Sequence, residues 1–290
     1  MKVQKSFDGS SNTGILYVVG TPIGNLQDFS PRAREILATV DLIAAEDTRH
    51  TKKLLSAFEF STPLTSYHEH NEQSKGKFLI QQLLEGKSIA LVSDAGMPGI
   101  SDPGEVVIRE AVEEGITVVP IPGPNAALTA LVASGLVPQP FLFLGFFPRE
   151  KKDRRKELKK WATIPVTLIS YEAPHRLVDL LSDAMEAWGD RQVAIARELT
   201  KKHEEWLRGS LSECLSHIKE NGVRGEYVCI FGGADQSEFN QEPPAWWSSL
   251  EVIEHVEHYL RQGMSTKDAI LQTSKDRDVG KREIYNLYHT

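Results

Sequence analysis

The sequence has little cysteine, no long apolar run and no excess of basic charge. Its two cysteines, Cys214 and Cys229, have no metal-ligand spacing and cannot build a disulfide framework, which fits a reducing cytoplasm. No uninterrupted apolar segment approaches the ~20 residues that span a bilayer, so we expect no membrane partner. The net charge of −7 argues against a wholly basic nucleic-acid binder but leaves room for local basic patches.

The first thirteen residues are polar and lack the apolar core of a signal peptide. We therefore expect residues 1–13 to form a disordered tail and the protein to be cytoplasmic. A chain of 290 residues, 40% of them hydrophobic, can bury a sizeable core. Since domains usually have ~100–200 residues, this length predicts two domains rather than one.

Short apolar runs alternate with helical patterns through the first half of the chain. ILYVV (15–19) precedes PRAREILATV, and SIALV (88–92) precedes EVVIREAVEEG. Repeated βα units predict a parallel sheet with helices on both faces, and the pattern resumes after PIPGPNAA. We predict two α/β domains with a ligand cleft between them, over residues 14–121 and 122–238, and a small helical appendix over residues 245–290.

Four loops rich in glycine and proline follow predicted strands. They are VGTPIGNLQD (19–28), SDAGMPGISDPG (93–104), PIPGPNAA (120–127) and SYEAPHR (170–176). Ligands of open α/β sheets bind beyond the carboxyl ends of the strands, where glycine lets the backbone approach and proline fixes the loop. Any one loop could be a simple turn, but four at equivalent ends predict a binding cleft. The absence of GxxxxGK[ST] and of a fitting GxGxxG excludes a P-loop and a standard dinucleotide fold.

Six motifs occur in the order found in one known family. They are TPIGNL (21–26), AAEDTRHT (44–51), SDAGMPGISDPG, PGPNA (122–126), YEAPHR (171–176) and ARELTKKHE (196–204). Over nearly the whole chain from residue 14, the sequence resembles the ribosomal RNA small-subunit branch of the tetrapyrrole methylase superfamily, the class III S-adenosylmethionine (SAM) methyltransferases. The resemblance implies SAM between two α/β domains, a homodimer, and 2′-O-methylation of a cytidine in the decoding region of 16S rRNA. The implied partner is the small ribosomal subunit or its rRNA.

The resemblance also implies a SAM pocket. The backbone of Ala95 and Gly96 would lie against the methionine part of SAM. The pocket would be completed by Pro22, Ile100, Asn125, Ala126 and Leu199. Asp94 is a candidate for binding the ammonium or ribose hydroxyls, but it could equally cap its own turn. Met97 stands where this branch often has threonine, which puts a hydroxyl role there in doubt.

Candidate catalytic and phosphate-binding residues follow two predicted strands. Methyl transfer to a ribose hydroxyl needs in-line positioning, and a placed base adds roughly 10²–10⁴-fold in rate. The candidate bases are Glu46, Asp47, Glu172 and His175. Arg49 and Arg176 could hold a substrate phosphate. The alternative for EDTR is a helix N-terminus, with Asp47 as the cap and Arg49 solvated.

The HEH stretch places His68 and His70 on one face of an extended segment. A metal site would need further ligands, and none has the required spacing. We therefore predict that no metal is bound and that His68 lies at the edge of the substrate site.

Two further segments are candidates for RNA contact. REKKDRRKELKK (149–160) has eight basic and three acidic residues, and Lys152, Arg155 and Lys159 would share a helical face. They could bind phosphates, although most charge runs are solvated faces. The C-terminal segment resembles the helix-turn-helix-like tail of the same family, which suggests RNA contact through Lys281 and Arg282. Packing on the second domain is the alternative.

Three functions compete on this reading. The first is an rRNA 2′-O-methyltransferase. The second is a class III methyltransferase for a small molecule such as a porphyrinoid, which would need neither the basic run nor the tail. The third is a non-catalytic nucleic-acid-binding protein, which would have no need of the intact loops.

Overall fold

The computed structural model describes residues 3–6, 13–235 and 245–289. The chain divides into two compact units, residues 1–234 and residues 235–290. Most of the expected N-terminal tail, residues 1–13, lies outside the described residues. Of the part that is described, the side-chain amide of Gln4 donates to the Val118 carbonyl at 2.9 Å and accepts from the Val118 amide at 3.0 Å. No helix in the described part of the chain is long and apolar enough to cross a membrane.

The first sheet of the larger unit has five parallel strands in the order β3-β2-β4-β1-β5. The strands are β1 (Ile15–Val19), β2 (Leu42–Ala45), β3 (Leu64–Ser66), β4 (Ile89–Val92) and β5 (Thr117–Ile121). The connecting helices are a short 3-10 helix (Leu26–Asp28), α1 (Pro31–Thr39), α2 (Thr48–Ala57), α3 (Glu72–Leu84) and α4 (Glu105–Glu113). Apolar clusters cover both faces of the sheet, as βα repeats require.

The second sheet is mixed, in the order β6-β7-β10-β8-β9. Its strands are β6 (Phe141–Phe146), β7 (Thr167–Glu172), β8 (Gln192–Arg197), β9 (Glu205–Ser210) and β10 (Tyr227–Phe231). The accompanying helices are α5 (Ala126–Ala133), α6 (Lys151–Lys160), α7 (Pro174–Trp188) and α8 (Leu211–Asn221). The predicted α/β fold class, with two sheets and C-terminal helices, is confirmed.

The second sheet departs from the expected parallel arrangement. Only β6 and β7 pair in parallel, and the other three pairs are antiparallel. A parallel pair needs a crossover of about a dozen residues, and the short loop between β8 and β9 permits only a hairpin. The sequence pattern did not show β9, because its residues are half-buried or exposed rather than alternately buried.

The smaller unit contains three described helices, α9 (Val252–Arg261), α10 (Thr266–Arg277) and α11 (Lys281–His289). Their common core consists of Val256, Ala269, Ile270 and Ile284. Tyr285 on α11 is half-exposed. Lys281 and Arg282 are exposed on the first turn of α11.

Candidate functional site

A cavity of about 430 Å³ lies between the two sheets of the larger unit. Its lining comes from the loops that follow β1, β4 and β5 on one side and from the ends of β6, β7, β8 and β10 on the other. Of the residues predicted to bind a cofactor, those that line it are Ala95, Gly96, Ile100, Asn125, Ala126 and Leu199. Pro22 and Asp94 are not part of the lining, whereas Ile23, Met97 and Asp102 are. The volume is typical of a small-molecule site.

The glycine loops build one wall of the cavity by pairing with each other. The Thr21 amide donates to the Gly96 carbonyl at 2.9 Å, and the Gly96 amide donates back to Thr21 at 3.2 Å. Gly96 has a φ of +82°, which favours glycine because it lacks a β-carbon. Both of its backbone polar groups are therefore used to join the first two loops, and its Cα contributes to the cavity surface.

Glu46 and Asp94 join the ends of β2 and β4. The Asp94 amide donates to Glu46 Oε2 at 3.2 Å, and the Asp47 amide donates to Asp94 Oδ1 at 3.1 Å. Burial raises the pKa of Glu46; the hydrogen bond from the Asp94 amide opposes this shift, and the negative charge of Asp94 adds to it. The Asp94 carboxylate thus caps the neighbouring strand's loop rather than its own turn.

Asp47 is the N-cap of α2. Its carboxylate accepts from the Arg49 amide at 2.8 Å and pairs with the Arg49 guanidinium at 2.7 Å. Hydrogen bonds from Arg49 hold the pKa of Asp47 well below its usual range, so it is a weak base. The Arg49 side chain is 88% exposed. This geometry is the helix-capping arrangement that the sequence left open as the alternative for EDTR.

Asp102 is a site residue that sequence reasoning missed. It lines the cavity, half-buried, directly after Ser101, whose φ is +64°. Burial raises its pKa from the ordinary 3.8 to about 7; the charges of Glu46 and Asp94 add to the shift, and a hydrogen bond with Ser93 opposes it. No salt bridge within the described residues includes Asp102. The sequence contained a signal, since Asp102 lies in the SDPG end of the quoted loop, but that end reads as a turn.

Glu172 is buried at the end of β7 and lines the cavity. Its Oε1 accepts from the Ala173 amide at 2.9 Å and lies 3.2 Å from Arg176 Nε, while its Oε2 is buried without a hydrogen-bond partner. Burial raises its pKa, with the Ala173 hydrogen bond and the Arg176 charge opposing. Arg176 also donates to the carbonyls of Phe147 and Pro148. Its contacts therefore lie inside the protein.

The basic segment forms α6, and its arginines and lysines differ in role. Asp183 on α7 pairs with Arg154 at 2.7 Å and with Arg155 at 2.8 Å, and Arg155 also pairs with Glu186. Lys152 and Lys159 are exposed, as the predicted phosphate ligands should be, and so is Lys156. The predicted set of three therefore separates into two free lysines and one arginine held by carboxylates.

His68 is half-buried beside Asn71, whose Oδ1 accepts from the His68 amide at 2.9 Å. Asn71 Nδ2 lies 3.2 Å from His68 Nε2, and the ring of His70 is 6.0 Å away, centroid to centroid. His175 follows Glu172 at the start of α7. Within the described part of the chain, no group of three or more His, Cys, Asp or Glu residues is placed to hold a metal ion.

The two sheets, with a cavity lined by glycine loops between them, define a two-sheet α/β protein with a cavity of small-molecule size. The family model of the tetrapyrrole (corrin/porphyrin) methylases matches residues 15–215. The chain belongs to this family, which confirms the predicted resemblance and with it a SAM-dependent methyltransferase.

Curated relatives cover the whole chain. It is 52% identical over 289 residues to ribosomal RNA small subunit methyltransferase I of Bacillus subtilis (strain 168). The match covers 100% of this chain and 99% of the relative. It is 42% identical over 278 residues to the protein of the same name in Synechocystis sp. That match covers 94% of this chain and 97% of the relative.

Solved structures share the fold at low identity. One is uroporphyrin-III C-methyltransferase from Thermus thermophilus, complexed with S-adenyl homocysteine. It has a TM-score of 0.56 and 17% identity, and the match covers 76% of this chain and 97% of that one. Diphthine synthase has a TM-score of 0.57 and 12% identity, with 78% and 92% covered.

Proposed function

We propose that this protein transfers a methyl group from SAM to the ribose 2′-hydroxyl of a cytidine in the decoding region of small-subunit 16S rRNA. The cavity between the two sheets carries the proposal, because the motif loops shared with the rRNA branch form its walls. The full-length relatives named as ribosomal RNA small subunit methyltransferase I supply the substrate class.

The residues of the cavity fit SAM. Ile23, Met97, Ile100 and Leu199 give an apolar surface for an adenosine, and Asn125 and Ala126 add the start of α5. Glu172 and Asp102 place two carboxyl groups on the lining of the cavity, which suits a cationic ligand. SAM, when bound, supplies a methyl group on a positively charged sulfur. The protein's part is to hold the donor and the acceptor in line, which can contribute ~7–11 kcal/mol.

Among the carboxylates of the site, Asp102 is the one we assign as general base. Asp47 is held by Arg49, Glu46 is bonded to the Asp94 amide, and Glu172 faces Arg176. Asp102 reaches the cavity without a cationic partner in the described structure, and a pKa of about 7 suits a base at neutral pH. It would accept the proton of the ribose hydroxyl. The methyl–sulfur bond of SAM would break as the methyl group bonds to that oxygen, and S-adenosylhomocysteine would leave.

Substrate contacts are proposed at exposed cations of α2 and α6. Lys152 and Lys159 on α6 and Arg49 on α2 would meet phosphates, with His68 at the edge of the site. Arg155 and Arg176 would act indirectly by fixing α6 and the loop before it. The proposal also includes action in the cytoplasm on the small subunit or its rRNA, as a homodimer.

Transfer of label from SAM tests the function. Purified protein is incubated with labelled SAM and with small ribosomal subunits, free rRNA or a porphyrinoid, and the label is mapped by nuclease digestion and mass spectrometry. We expect a ribose-methylated cytidine in the rRNA of the subunit or of the free RNA. Label on the porphyrinoid alone, or on no substrate, would overturn the proposal.

A further inference from the structure

Phe146, the last residue of β6, is an aromatic side chain at the cavity that is 52% exposed. At a binding cavity, an exposed phenylalanine offers apolar surface that a bound aromatic group can cover. The other aromatic residues of the lining, Tyr171 and Tyr227, are largely buried. Phe146 is therefore the aromatic ring that the cavity presents to solvent.

A bulge in β6 directs Phe146 toward the cavity. The pairing of β6 with β7 is regular from Phe141 to Phe143 and shifts register before Phe146. Gly145 has a φ of +64°, and a β-carbon there would lie 3.1 Å from Ser101 Oγ. Bulges next to binding sites re-aim a side chain. This one brings the end of β6 against the loop that carries Ile100 and Asp102.

The ring of Phe146 packs against a neighbouring tyrosine. It contacts the Tyr171 ring at 5.7 Å between centroids with an angle of 64°, and Tyr171 contacts Phe143 at 5.0 Å. Tyr171 is itself fixed, because its hydroxyl accepts from the Ala127 amide at 3.2 Å. Tyr171 therefore holds Phe146 in place, and the exposed part of Phe146 lies at the cavity.

We propose that a nucleobase of the RNA substrate, unstacked from its neighbours, stacks on the exposed part of Phe146. This inference rests on the proposed function and names how the target nucleotide is held. Enzymes that modify one nucleotide read the splayed-out base between aromatic and apolar side chains. The exposed lysines of α6 begin five residues after Phe146, at Lys151, so a phosphate-binding helix follows the stacking surface directly.

Charge and surface chemistry together favour this occupant. Binding of single-stranded nucleic acid combines aromatic stacking with cations that follow the backbone, and the two occur here in one continuous segment, residues 146–160. Two other occupants would give different results. One is the adenine of SAM, and the other is a second copy of this chain.

The test uses three variants of the full-length protein. Phe146→Leu removes the ring but keeps an apolar side chain, and Phe146→Tyr keeps the ring. Phe141→Leu is the matched control, since Phe141 is 40% exposed on the same strand and is not part of the cavity lining. For each we would measure the Kd for unmethylated small ribosomal subunits, the kcat and KM of methylation, the Kd for SAM by calorimetry, and the sedimentation coefficient.

Loss of one stacked base corresponds to roughly a 5- to 150-fold weaker interaction. We expect Phe146→Leu to raise the Kd for subunits or lower kcat/KM by that factor. We expect Phe146→Tyr and Phe141→Leu to stay near wild type, and SAM affinity and sedimentation to be unchanged in all three. Equal values for Phe146→Leu and wild type would overturn the inference. A matching loss of SAM affinity would place adenine on the ring instead, and altered sedimentation would place a second copy there; either overturns it.

The two proposals fail separately. If the wild type transfers no methyl group to rRNA, the proposed function fails, whatever the variants do. If the wild type methylates rRNA and Phe146→Leu does so equally well, with equal affinity for subunits, only the stacking inference fails. A melting curve of each variant checks that the altered values do not come from unfolding.

Discussion

Gly20 and Gly123 meet backbone to backbone: a β-carbon on either residue would lie 2.7 Å from the Cα of the other. Gly20 follows β1, and Gly123 follows β5, its parallel neighbour in the sheet. On the Gly20 side, Met97 Sδ would also be 2.7 Å away. Two loops of the cavity wall therefore pack at a distance that no other residue type allows.

We expect Gly123→Ala to destabilise the fold by about 1–3 kcal/mol, because the new methyl group meets backbone atoms that cannot move aside. SAM affinity should fall with it, since the loop before Asn125 must shift. Denaturant unfolding and calorimetry measure the two effects. Gly76→Ala is the control: its β-carbon would lie 3.3 Å from the flexible end of Glu110, and alanine favours helix α3 by about 0.5–1 kcal/mol. If Gly123→Ala has the wild-type free energy of unfolding and the wild-type affinity for SAM, the packing argument is contradicted.

Asp102→Asn should lower the methylation rate by roughly 10²–10⁴-fold while SAM still binds. Because the pKa of Asp102 is about 7, wild-type activity should rise tenfold per pH unit below pH 7 and level off above it. The variant should lack this inflection. A pH profile of single-turnover methylation checks both points. If the inflection persists in Asp102→Asn, another group is titrating and the assignment of the base is wrong.

The same substitution should stabilise the protein. The folded state raises the pKa of Asp102 from 3.8 to about 7, so ionisation costs stability as pH rises through that interval. We expect Asp102→Asn to be more stable by about 1–2 kcal/mol at pH 8, less than the full shift implies because the carboxylate is partly solvated. The gain should vanish below about pH 4, where both states are protonated. Thermal melts at pH 4 and pH 8 provide the comparison.

Replacing Lys152, Lys156 and Lys159 with glutamine should weaken RNA binding. If each lysine neutralises one phosphate of a single strand, the slope of log affinity against log salt should become shallower by about 2 in total. SAM affinity should not change. A control triple of exposed lysines elsewhere, Lys77, Lys87 and Lys219, should keep the wild-type slope. Equal salt slopes for the α6 variant and wild type would show that these lysines do not bind phosphates. Lys281 and Arg282 would then be the next candidates for RNA contact.

Asp183→Asn should destabilise the fold by about 2–4 kcal/mol at pH 7, since it leaves the buried Arg154 guanidinium without its charge partner. Burial opposes ionisation of Asp183, but hydrogen bonds from Arg155 and Arg154 outweigh it and lower its pKa. The stabilisation is therefore complete above about pH 4 and lost as pH falls below it. Asp179→Asn is the control on the same helix, because Asp179 is 71% exposed and 4.0 Å from Arg154. Equal urea midpoints for the two variants would contradict this account.

Local chemistry made the loops and most of the elements predictable. The backbone at Gly96 has a φ of +82°, which favours glycine. The continuous apolar composition of IALV predicts a buried strand. The sequence therefore determined the first sheet, the order of its βα units and the loops that line the cavity. These loops carry the predicted pocket residues that line the cavity, namely Ala95, Gly96, Ile100, Asn125, Ala126 and Leu199.

The tertiary structure decided which charged side chains pair within the protein and which reach the cavity or the solvent. Arg155 and Arg176 look like phosphate ligands in sequence, but Arg155 pairs with Asp183 on α7 and Arg176 is held beside Glu172 inside the protein. Whether a carboxylate caps, pairs or reaches the cavity depends on what approaches it from distant segments. Asp102 becomes a candidate base because the fold partly buries it, and the charges of Glu46 and Asp94 raise its pKa further. Burial and long-range Coulomb interactions are properties of the assembled fold, because they depend on residues that are distant in the sequence.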